Sequence, residues 1–556
     1  MLTSHHITSK GIRNMLGNMQ KQGLVISDIL EHAAKYHESS EIVSRMVEGG
    51  IHRYTYADAL IRSKQLANAL KRLGVSSGER VGTLAWNTFR HFEVYYAVSG
   101  SGAITHTINP RLFPEQITYI VNHANDRYLF VDLTFLPIVE ALHEQFTALE
   151  GVIVLTDQAN MPETTLPNVM CYESLIASES EVFDWPVLDD ELGATLCYTS
   201  GTTGHPKGVL YSHRSTILHA LGSAQREGLD INSESVVLPV VPMFHVCAWG
   251  IPYAAPMTGA TIVFPGAGMD GASLTELIQS EKADLLLGVP TIWLGLLNHL
   301  DQANEVLESV ERVVVGGSAA PISMIQAFDE KHNAFVVHAW GMTEMSPLGT
   351  VCAPTRALKE LPIAERYALQ AKQGRPVFGV QLKIVDDEGI ECKRDGVDFG
   401  RLLVKGPWIA AQYYLEEETA LDKDGWFDTG DVSTIDPKGF MKIVDRKKDV
   451  IKSGGEWISS IELENAAIGH SSIQEACVIG VLHSKWGERP LLLVVLAEGQ
   501  SLDDAEILQF MTGNVAKWAL PDAVLVVDSL PHTATGKLLK KDLREAYKNF
   551  LIEKAD

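Results

Sequence analysis

The chain has 556 residues, 46 % hydrophobic and 21 % charged, which excludes a disordered or fibrous protein and is too long for one domain of roughly 100–200 residues. Lys and Arg number 46 against 70 Asp and Glu, and a net charge of −24 argues against a nucleic-acid binder, whose contact face is basic. The 6 cysteines are scattered with no CxxC pair, which disfavours a disulfide framework or zinc cluster and fits a reducing cytoplasm.

Residues 1–24 are expected to be a leader, poorly ordered at 1–14, because MLTSHHITSKGIRN has neither helical periodicity nor the apolar core of a signal peptide. No apolar run reaches the ~18 residues of a membrane span. Ser27-Asp28 is predicted to cap a helix running to Tyr36. Thr55-Tyr-Ala-Asp58 opens an amphipathic helix ending near Gly74. Strands then alternate with helices, at Arg80–Ala85, Tyr128–Val131, Val152–Leu155, Val236–Pro239, Ala260–Phe264, Leu285–Val289, Arg312–Val315 and Ala334–Val337. That alternation predicts an α/β protein with parallel-rich sheets sandwiched by helices. Gly266-Ala-Gly268-Met-Asp-Gly271 formally fits GxGxxG, but Pro265 interrupts the entry, so Asp270 or Ser273 is read as a helix cap. Near residue 380 the pattern changes to short antiparallel strands at Val380–Val385, Gly400–Val404 and Phe440–Val444, expected to form a small β-barrel-like subdomain. The organisation expected is therefore a large N-terminal domain over 25–444 and a small α+β domain over 445–556. The latter has a helix near Ser459–Ala467, strands at Glu475–Leu482 and Leu491–Leu496, a helix near Asp503–Asn514 and one charged C-terminal helix.

Chemistry concentrates in Tyr198-Thr-Ser-Gly-Thr-Thr-Gly-His-Pro-Lys-Gly-Val209, which follows the predicted strand Ala194–Cys197. Gly201, Gly204 and Gly208 let the backbone approach a ligand closely. Successive N–H groups can form an anion-binding nest, to which Thr199, Ser200, Thr202 and Thr203 add hydroxyls and Lys207 a point charge. This is a phosphate cradle without the G-K-[ST] of a Walker loop.

The loop resembles the nucleotide loop of the adenylate-forming superfamily, which comprises acyl-CoA synthetases, peptide-synthetase adenylation domains and luciferases. Four more segments match that superfamily in order: His338-Ala-Trp-Gly-Met-Thr-Glu344, Trp426-Phe-Asp-Thr-Gly-Asp-Val432, Asp445-Arg-Lys-Lys-Asp-Val-Ile-Lys-Ser-Gly-Gly-Glu456 and Pro531-His-Thr-Ala-Thr-Gly-Lys537. The resemblance implies ATP, Mg²⁺ and coenzyme A as reactants, a carboxylic acid as substrate, a mobile C-terminal domain and a homodimer. It places ATP or AMP at the loop residues above and at Gly317, Ser318, Ala319, His338, Ala339, Trp340, Gly341, Met342, Thr343, Asp431, Ile443 and Arg446. It makes Lys537 the lysine of the adenylation step, Asp445 the hinge, and Lys452, Ser453, Gly454, Gly455, Glu456 and Trp457 the coenzyme A segment. Glu344 is a hard oxygen ligand suited to Mg²⁺, with Thr199 as a weaker partner. Asp431, read in a turn after Gly430, has a carboxylate able to accept a ribose diol. Trp340 offers a flat face to adenine where the family more often has Tyr.

In Pro242-Met-Phe-His-Val-Cys-Ala-Trp249 the resemblance puts His245 at the substrate carboxylate, and Val246, Trp249, Gly316 and Gly341 around the acyl group. Amino-acid-activating relatives carry an Asp at the position of His245, so a substrate without an amino group is expected. Gly-Gly-Glu-Trp-Ile-Ser-Ser460 and Lys485-Trp-Gly-Glu-Arg-Pro490, with Trp249, resemble the medium- and long-chain acyl branch, and within it the overall sequence most resembles the 3-methylmercaptopropionyl-CoA ligases of dimethylsulfoniopropionate demethylation. The function implied is an AMP-forming acid:CoA ligase for 3-methylmercaptopropionate and short- or medium-chain fatty acids. The alternatives are a medium- or long-chain fatty-acyl-CoA synthetase and an adenylation enzyme loading a carrier protein.

Overall fold

A computed structural model describes residues 17–199, 205–454, 456–497, 499–513, 515–532 and 538–555, the side chains of Glu456 and Ala555 excepted. Two large sheets carry the N-terminal part. The seven-stranded sheet runs in the order Val169–Cys171, Gly151–Val154, Tyr128–Val131, Arg80–Leu84, Ile104–Thr107, Gly193–Tyr198 and Gly208–Ser212. Every neighbouring pair in it is parallel except the last, which brackets the phosphate loop. The nine-stranded sheet has six parallel central strands, in the order Phe335–Gly341, Arg312–Val315, Leu285–Gly288, Val236–Pro239, Thr261–Phe264 and Glu41–Arg45. Their burial on both faces is why they read as unbroken Val/Leu/Ile runs.

The antiparallel region is a four-stranded sheet, Gln381–Val385, Phe399–Lys405, Phe427–Ile435 and Met441–Arg446, in sequential order. After it comes a five-stranded sheet built on the long hairpin Ile473–His483 and Gly487–Leu496. Two apolar clusters there draw all their members from residues 451–551, so this region holds a core of its own.

Local chemistry explains several element bounds. The helix Tyr56–Arg72 starts in a reciprocal capping box. The Asp58 N–H donates to Thr55 Oγ1 at 3.2 Å, and the Thr55 N–H donates to Asp58 Oδ2 at 3.0 Å. Asp270 caps the helix Gly271–Glu281 by accepting from the Ser273 N–H, as expected for a chain segment that only imitates a dinucleotide loop. Ser27-Asp28 is not a cap. The first helix spans Ile26–Tyr36 with Ser27 buried inside it, and a distant side chain serves the free end, since the Ile26 N–H donates to His213 Nδ1 at 3.2 Å. The later helix ends at Met511, and the charged C-terminal stretch breaks into Lys540–Ala546 and Phe550–Ala555.

A charge network pins the helices that cover the seven-stranded sheet. Glu93 is fully buried in the helix Phe89–Gly100. It accepts from Arg62 Nε at 2.7 Å and from the Tyr172 hydroxyl at 2.5 Å. Arg62 also binds Glu173 with both terminal nitrogens at 3.0 Å, and Arg90 bridges Glu173 to Glu48. Burial pushes the Glu93 carboxyl above its ordinary range, and the Arg62 guanidinium opposes that shift. Breaking a buried ion pair from one side leaves the other charge without compensation. Glu93→Ala is therefore expected to cost about 3–5 kcal/mol. The cost should appear as a lower urea midpoint and melting temperature, whereas Glu41→Ala, whose partner Arg53 is solvent-exposed, should move both very little.

Candidate active site

A cavity of about 810 Å³ lies where both large sheets end. Its lining includes the residues that directly follow parallel strands: Val240 after Val236–Pro239, Val289 after Leu285–Gly288, Gly316 after Arg312–Val315, and Thr199 after Gly193–Tyr198. Ligand crevices of open α/β sheets form at such carboxyl ends, where loops diverge and the sheet stops.

On the phosphate side, Thr199 and Lys207 close the mouth of their loop. The Thr199 N–H donates to the Lys207 carbonyl at 2.9 Å, and the Lys207 N–H donates to Thr199 Oγ1 at 3.2 Å. Ser200, Gly201, Thr202, Thr203 and Gly204 lie outside the described residues. The Lys207 ammonium sits 4.6 Å from the centre of the Tyr413 ring, and the Tyr413 hydroxyl donates to Glu344 Oε1 at 2.8 Å. Burial first, and the Glu344 carboxylate second, hold the Tyr413 hydroxyl protonated well beyond its ordinary range, so it remains a donor. Glu344 is 7 % exposed and lines the cavity from the short turn Thr343–Met345. No cluster of three or more His, Cys, Asp or Glu suited to a metal exists among the described residues. One carboxylate and one threonine hydroxyl on the same cavity suit a Mg²⁺ ion held mainly by phosphates and water, not a protein-caged metal.

On the acyl side, His245 and Val246 line the cavity, and Trp249 lies over Gly316. A Cβ on Gly316 would meet the indole at 2.8 and 3.1 Å, so only glycine admits the ring there. Trp249 arrives through a turn not legible in the sequence. Val246, Cys247, Ala248 and Trp249 all take left-handed φ values, 47°, 51°, 48° and 57°, before Gly250 at 79°. Left-handed non-glycine residues cost roughly 1–2 kcal/mol each. The turn is held by the Ala248 N–H, shared between the Pro242 and His245 carbonyls, and by the Gly250 N–H on the Cys247 carbonyl.

On the nucleotide side, Gly317, Ser318, Ala339, Trp340, Gly341, Met342 and Thr343 all line the cavity, whereas Ala319 does not. The His338 side chain is 1 % exposed and bonded to the Ala371 carbonyl at 3.1 Å. Burial pushes its imidazole down to about 4, and, unlike its motif neighbours Ala339–Glu344, His338 is not among the residues lining the cavity. Asp431 is not in a simple turn. It belongs to the strand Phe427–Ile435, where Thr429–Asp431 bulge against Leu402 and Gly430 takes φ 70°. The bulge carries the Thr-Gly-Asp signature of a turn, which explains the misreading. Asp431 is 2 % exposed and meets the cavity through two lining residues, Trp340 and Arg446. Trp340 Nε1–H donates to Oδ2 at 3.0 Å, and Arg446 Nε lies 2.8 Å from Oδ1. Ile443 is off the cavity, its N–H donating to Gln373 Oε1 at 2.6 Å.

The C-terminal residues separate into two places. Lys448, Asp449 and Leu538, the first described residue after the Lys537 loop, line the cavity; Lys537 itself is outside the described residues, as is Gly455. Lys452, Ser453, Gly454 and Trp457 sit apart on the hairpin Ile451–Ser453 and Glu456–Ile458, where the Gly454 N–H donates to the Trp486 carbonyl at 2.8 Å and Trp457 packs on Phe399 at 5.1 Å. Asp445 is 1 % exposed and accepts from the Ser460 N–H and hydroxyl at 2.7 and 2.6 Å. Sequence reasoning missed a lining group beside the phosphate loop. His205 stacks on Tyr119 at 4.4 Å, and His123, four residues further along the same helix, shares a 2.7 Å hydrogen bond with the Tyr198 hydroxyl. The i, i+4 spacing of Tyr119 and His123 was the available signal.

Comparison with known proteins agrees with this architecture. The AMP-binding enzyme family matches residues 30–414, and its C-terminal domain matches residues 462–537. The chain is 51 % identical over 537 residues to a 3-methylmercaptopropionyl-CoA ligase of Ruegeria lacuscaerulensis, covering 97 % of this chain and 100 % of that one. It is 47 % identical to a medium-chain-fatty-acid–CoA ligase of Ectopseudomonas oleovorans, covering 97 % and 98 %. Among solved structures, an anthranilate CoA ligase in complex with anthranoyl-AMP superimposes with a TM-score of 0.84 at 26 % identity, covering 97 % and 99 %. With both of its modules matched in order on one chain, the protein belongs to the AMP-binding enzyme family.

Proposed function

We propose that this AMP-forming acid:CoA ligase takes 3-methylmercaptopropionate as its acid, and short- and medium-chain fatty acids of similar shape alongside it. The observation that carries the reading is a single cavity bringing together Thr199, Lys207 and Glu344 on one side and His245 and Trp249 on the other. The 51 % identity to a relative named for that acid supports the choice of substrate.

In this reading the acid lies against Trp249 with its carboxylate near His245, and a carboxylate oxygen attacks the α-phosphorus of ATP as pyrophosphate leaves. Lys207 and the loop N–H groups hold the outer phosphates, and Lys537 offsets charge growing at the α-phosphate. Glu344 and Thr199 would hold Mg²⁺, which when bound neutralises phosphate charge. The resulting mixed anhydride makes the acyl carbon a good electrophile. The body from 445 onward then turns about Asp445, exchanging the Lys537 loop for the hairpin at 452–457. The sulfur of coenzyme A attacks the acyl carbon, and AMP leaves with the bridging oxygen. One cavity thus serves two chemistries through a domain motion. A cytoplasmic homodimer belongs to the same reading, carried by the family resemblance.

The direct test is CoA-dependent AMP release measured over a panel of carboxylic acids. 3-Methylmercaptopropionate and acids of about four to eight carbons should give the highest kcat/KM, and an optimum above about twelve carbons would overturn the proposal, since those extra methylenes cannot be buried beneath Trp249.

Lys537→Ala should abolish adenylation while retaining most thioester formation from supplied acyl-AMP, because the lysine acts in only one domain orientation. Equal loss in the two half-reactions would remove that assignment.

Trp249→Ala should open space at the end of the acyl site. Acids about two to four carbons longer should gain kcat/KM relative to 3-methylmercaptopropionate, at up to about 0.8 kcal/mol per newly buried methylene. A mutant that loses stability with its chain-length profile intact would make Trp249 a packing residue only.

A further inference from the structure

Trp340 is held from three directions. It occupies the next-to-last position of the strand Phe335–Gly341, on the nine-stranded sheet. Its six-membered ring lies against Gly349, where a Cβ would meet Cζ3 and Cε3 at 2.8 and 2.9 Å, so the indole is seated on bare backbone. Its edge is tethered by the Nε1–H bond to Asp431 Oδ2. It also lines the cavity. Seating and tether together fix both the plane of the ring and the direction of its N–H.

Asp431 has a second partner of a different kind. Arg446 reaches Oδ1 from beside the hinge, with a side chain 40 % exposed against 3 % for Asp431. In the strand register Arg446 is also the last residue paired with this sheet, opposite Asp431. An exposed guanidinium at the end of a ladder can withdraw, whereas an indole seated on buried backbone cannot. A carboxylate bonded at one oxygen to a fixed donor keeps its other oxygen in a set direction, which is the preorganisation a diol needs to bind without reorienting its acceptor.

We propose that Trp340 is a positioning residue for nucleotide recognition: its indole N–H holds Asp431 Oδ2, so that Oδ1 is presented to the ribose hydroxyls when Arg446 yields. The inference rests on the reading of Asp431 as ribose acceptor and adds to it a residue acting through the carboxylate. A ring that only stacked on adenine would act on every adenine nucleotide equally. A ring that orients Asp431 acts only where a ribose hydroxyl is present.

The test measures kcat/KM for ATP, 2′-deoxy-ATP and 3′-deoxy-ATP with the full-length protein, Trp340→Phe, Asp431→Asn and the double variant. Phe keeps an aromatic face and removes the donor. Wild type should prefer ATP over at least one deoxy analogue by about tenfold, the scale of a hydrogen bond to a charged acceptor. Trp340→Phe should lose most of that preference, its KM rising most for ATP and least for the deoxy analogue that lacks the discriminated hydroxyl, and should add nothing further in the Asp431→Asn background. Equal losses on all three nucleotides would overturn the proposal. An unchanged preference in Asp431→Asn would refute the ribose reading itself, and this inference with it. If Trp340→Phe does not fold, Gly349→Ala displaces the indole while leaving it in place in the sequence; a preference preserved in that variant would equally overturn the proposal.

Discussion

The carboxylate of Asp431 joins three parts of the molecule that sequence places far apart. Trp340 brings the end of the nine-stranded sheet to one oxygen, and Arg446 brings the start of the C-terminal body to the other. Asp431 itself stands on the bulge of the four-stranded sheet. A buried carboxylate is tolerable only when its oxygens are bonded, and here the bonds come from groups that also face the cavity. One charge thus links the antiparallel sheet, the end of the parallel strand and the start of the C-terminal body. The bulge sets Thr429–Asp431 against Leu402 alone, an excess of two residues, so Asp431 stands outside the regular ladder with Phe399–Lys405.

The acyl side is built by the opposite device, backbone strain instead of charge pairing. Four consecutive left-handed residues without a glycine cost energy that surrounding structure must offset. The offset is visible in the extensive apolar packing around the turn: Val246, Cys247 and Ala248 are all buried in the main core cluster. The return is placement. The turn drops Trp249 onto Gly316 at the mouth of a parallel strand, a spot a regular right-handed helix from His245 would not reach with the same residue.

These two devices mark the limits of what the sequence discloses. Parallel strands such as Arg312–Val315 and Val236–Pro239 were readable to the residue, because double burial writes an uninterrupted apolar run. The capping box at Thr55 and the Asp270 cap were readable because they are local. The cap of the first helix was not, since its partner His213 lies 187 residues away. Asp431 was found but placed in the wrong local structure, because a bulge and a turn share their glycine. His338 was included through its motif neighbours although its own side chain points into the core. The left-handed turn at Val246–Trp249 left no trace, since no glycine or asparagine announces it. Tyr119 and His123 share one helix and Tyr413 comes from a distant segment, and only the fold reveals that both segments line the cavity beside Lys207.

The proposed pivot at Asp445 is held by a chain of hydrogen bonds into the C-terminal body. Asp445 Oδ2 is bonded to the N–H and hydroxyl of Ser460, at the start of the helix Ser460–Ile468, and Lys540 in turn donates to the Ser460 hydroxyl at 2.6 Å and pairs with Glu464 at 2.6 Å. The Asp445 side chain is thus carried by the C-terminal body, through a chain of contacts that ends three residues beyond the Lys537 loop. Asp445 is also paired with Val432 in the four-stranded sheet, so it is bonded to both bodies at the proposed pivot. In the proposed rotation, Arg446 and Lys447 would leave the four-stranded sheet with the C-terminal body. That would break the Lys447 N–H bond to the Gly430 carbonyl and the Arg446 contact with Asp431. The Trp340 indole N–H, which belongs to the nine-stranded sheet and not to the C-terminal body, would keep its bond to Asp431 through such a change.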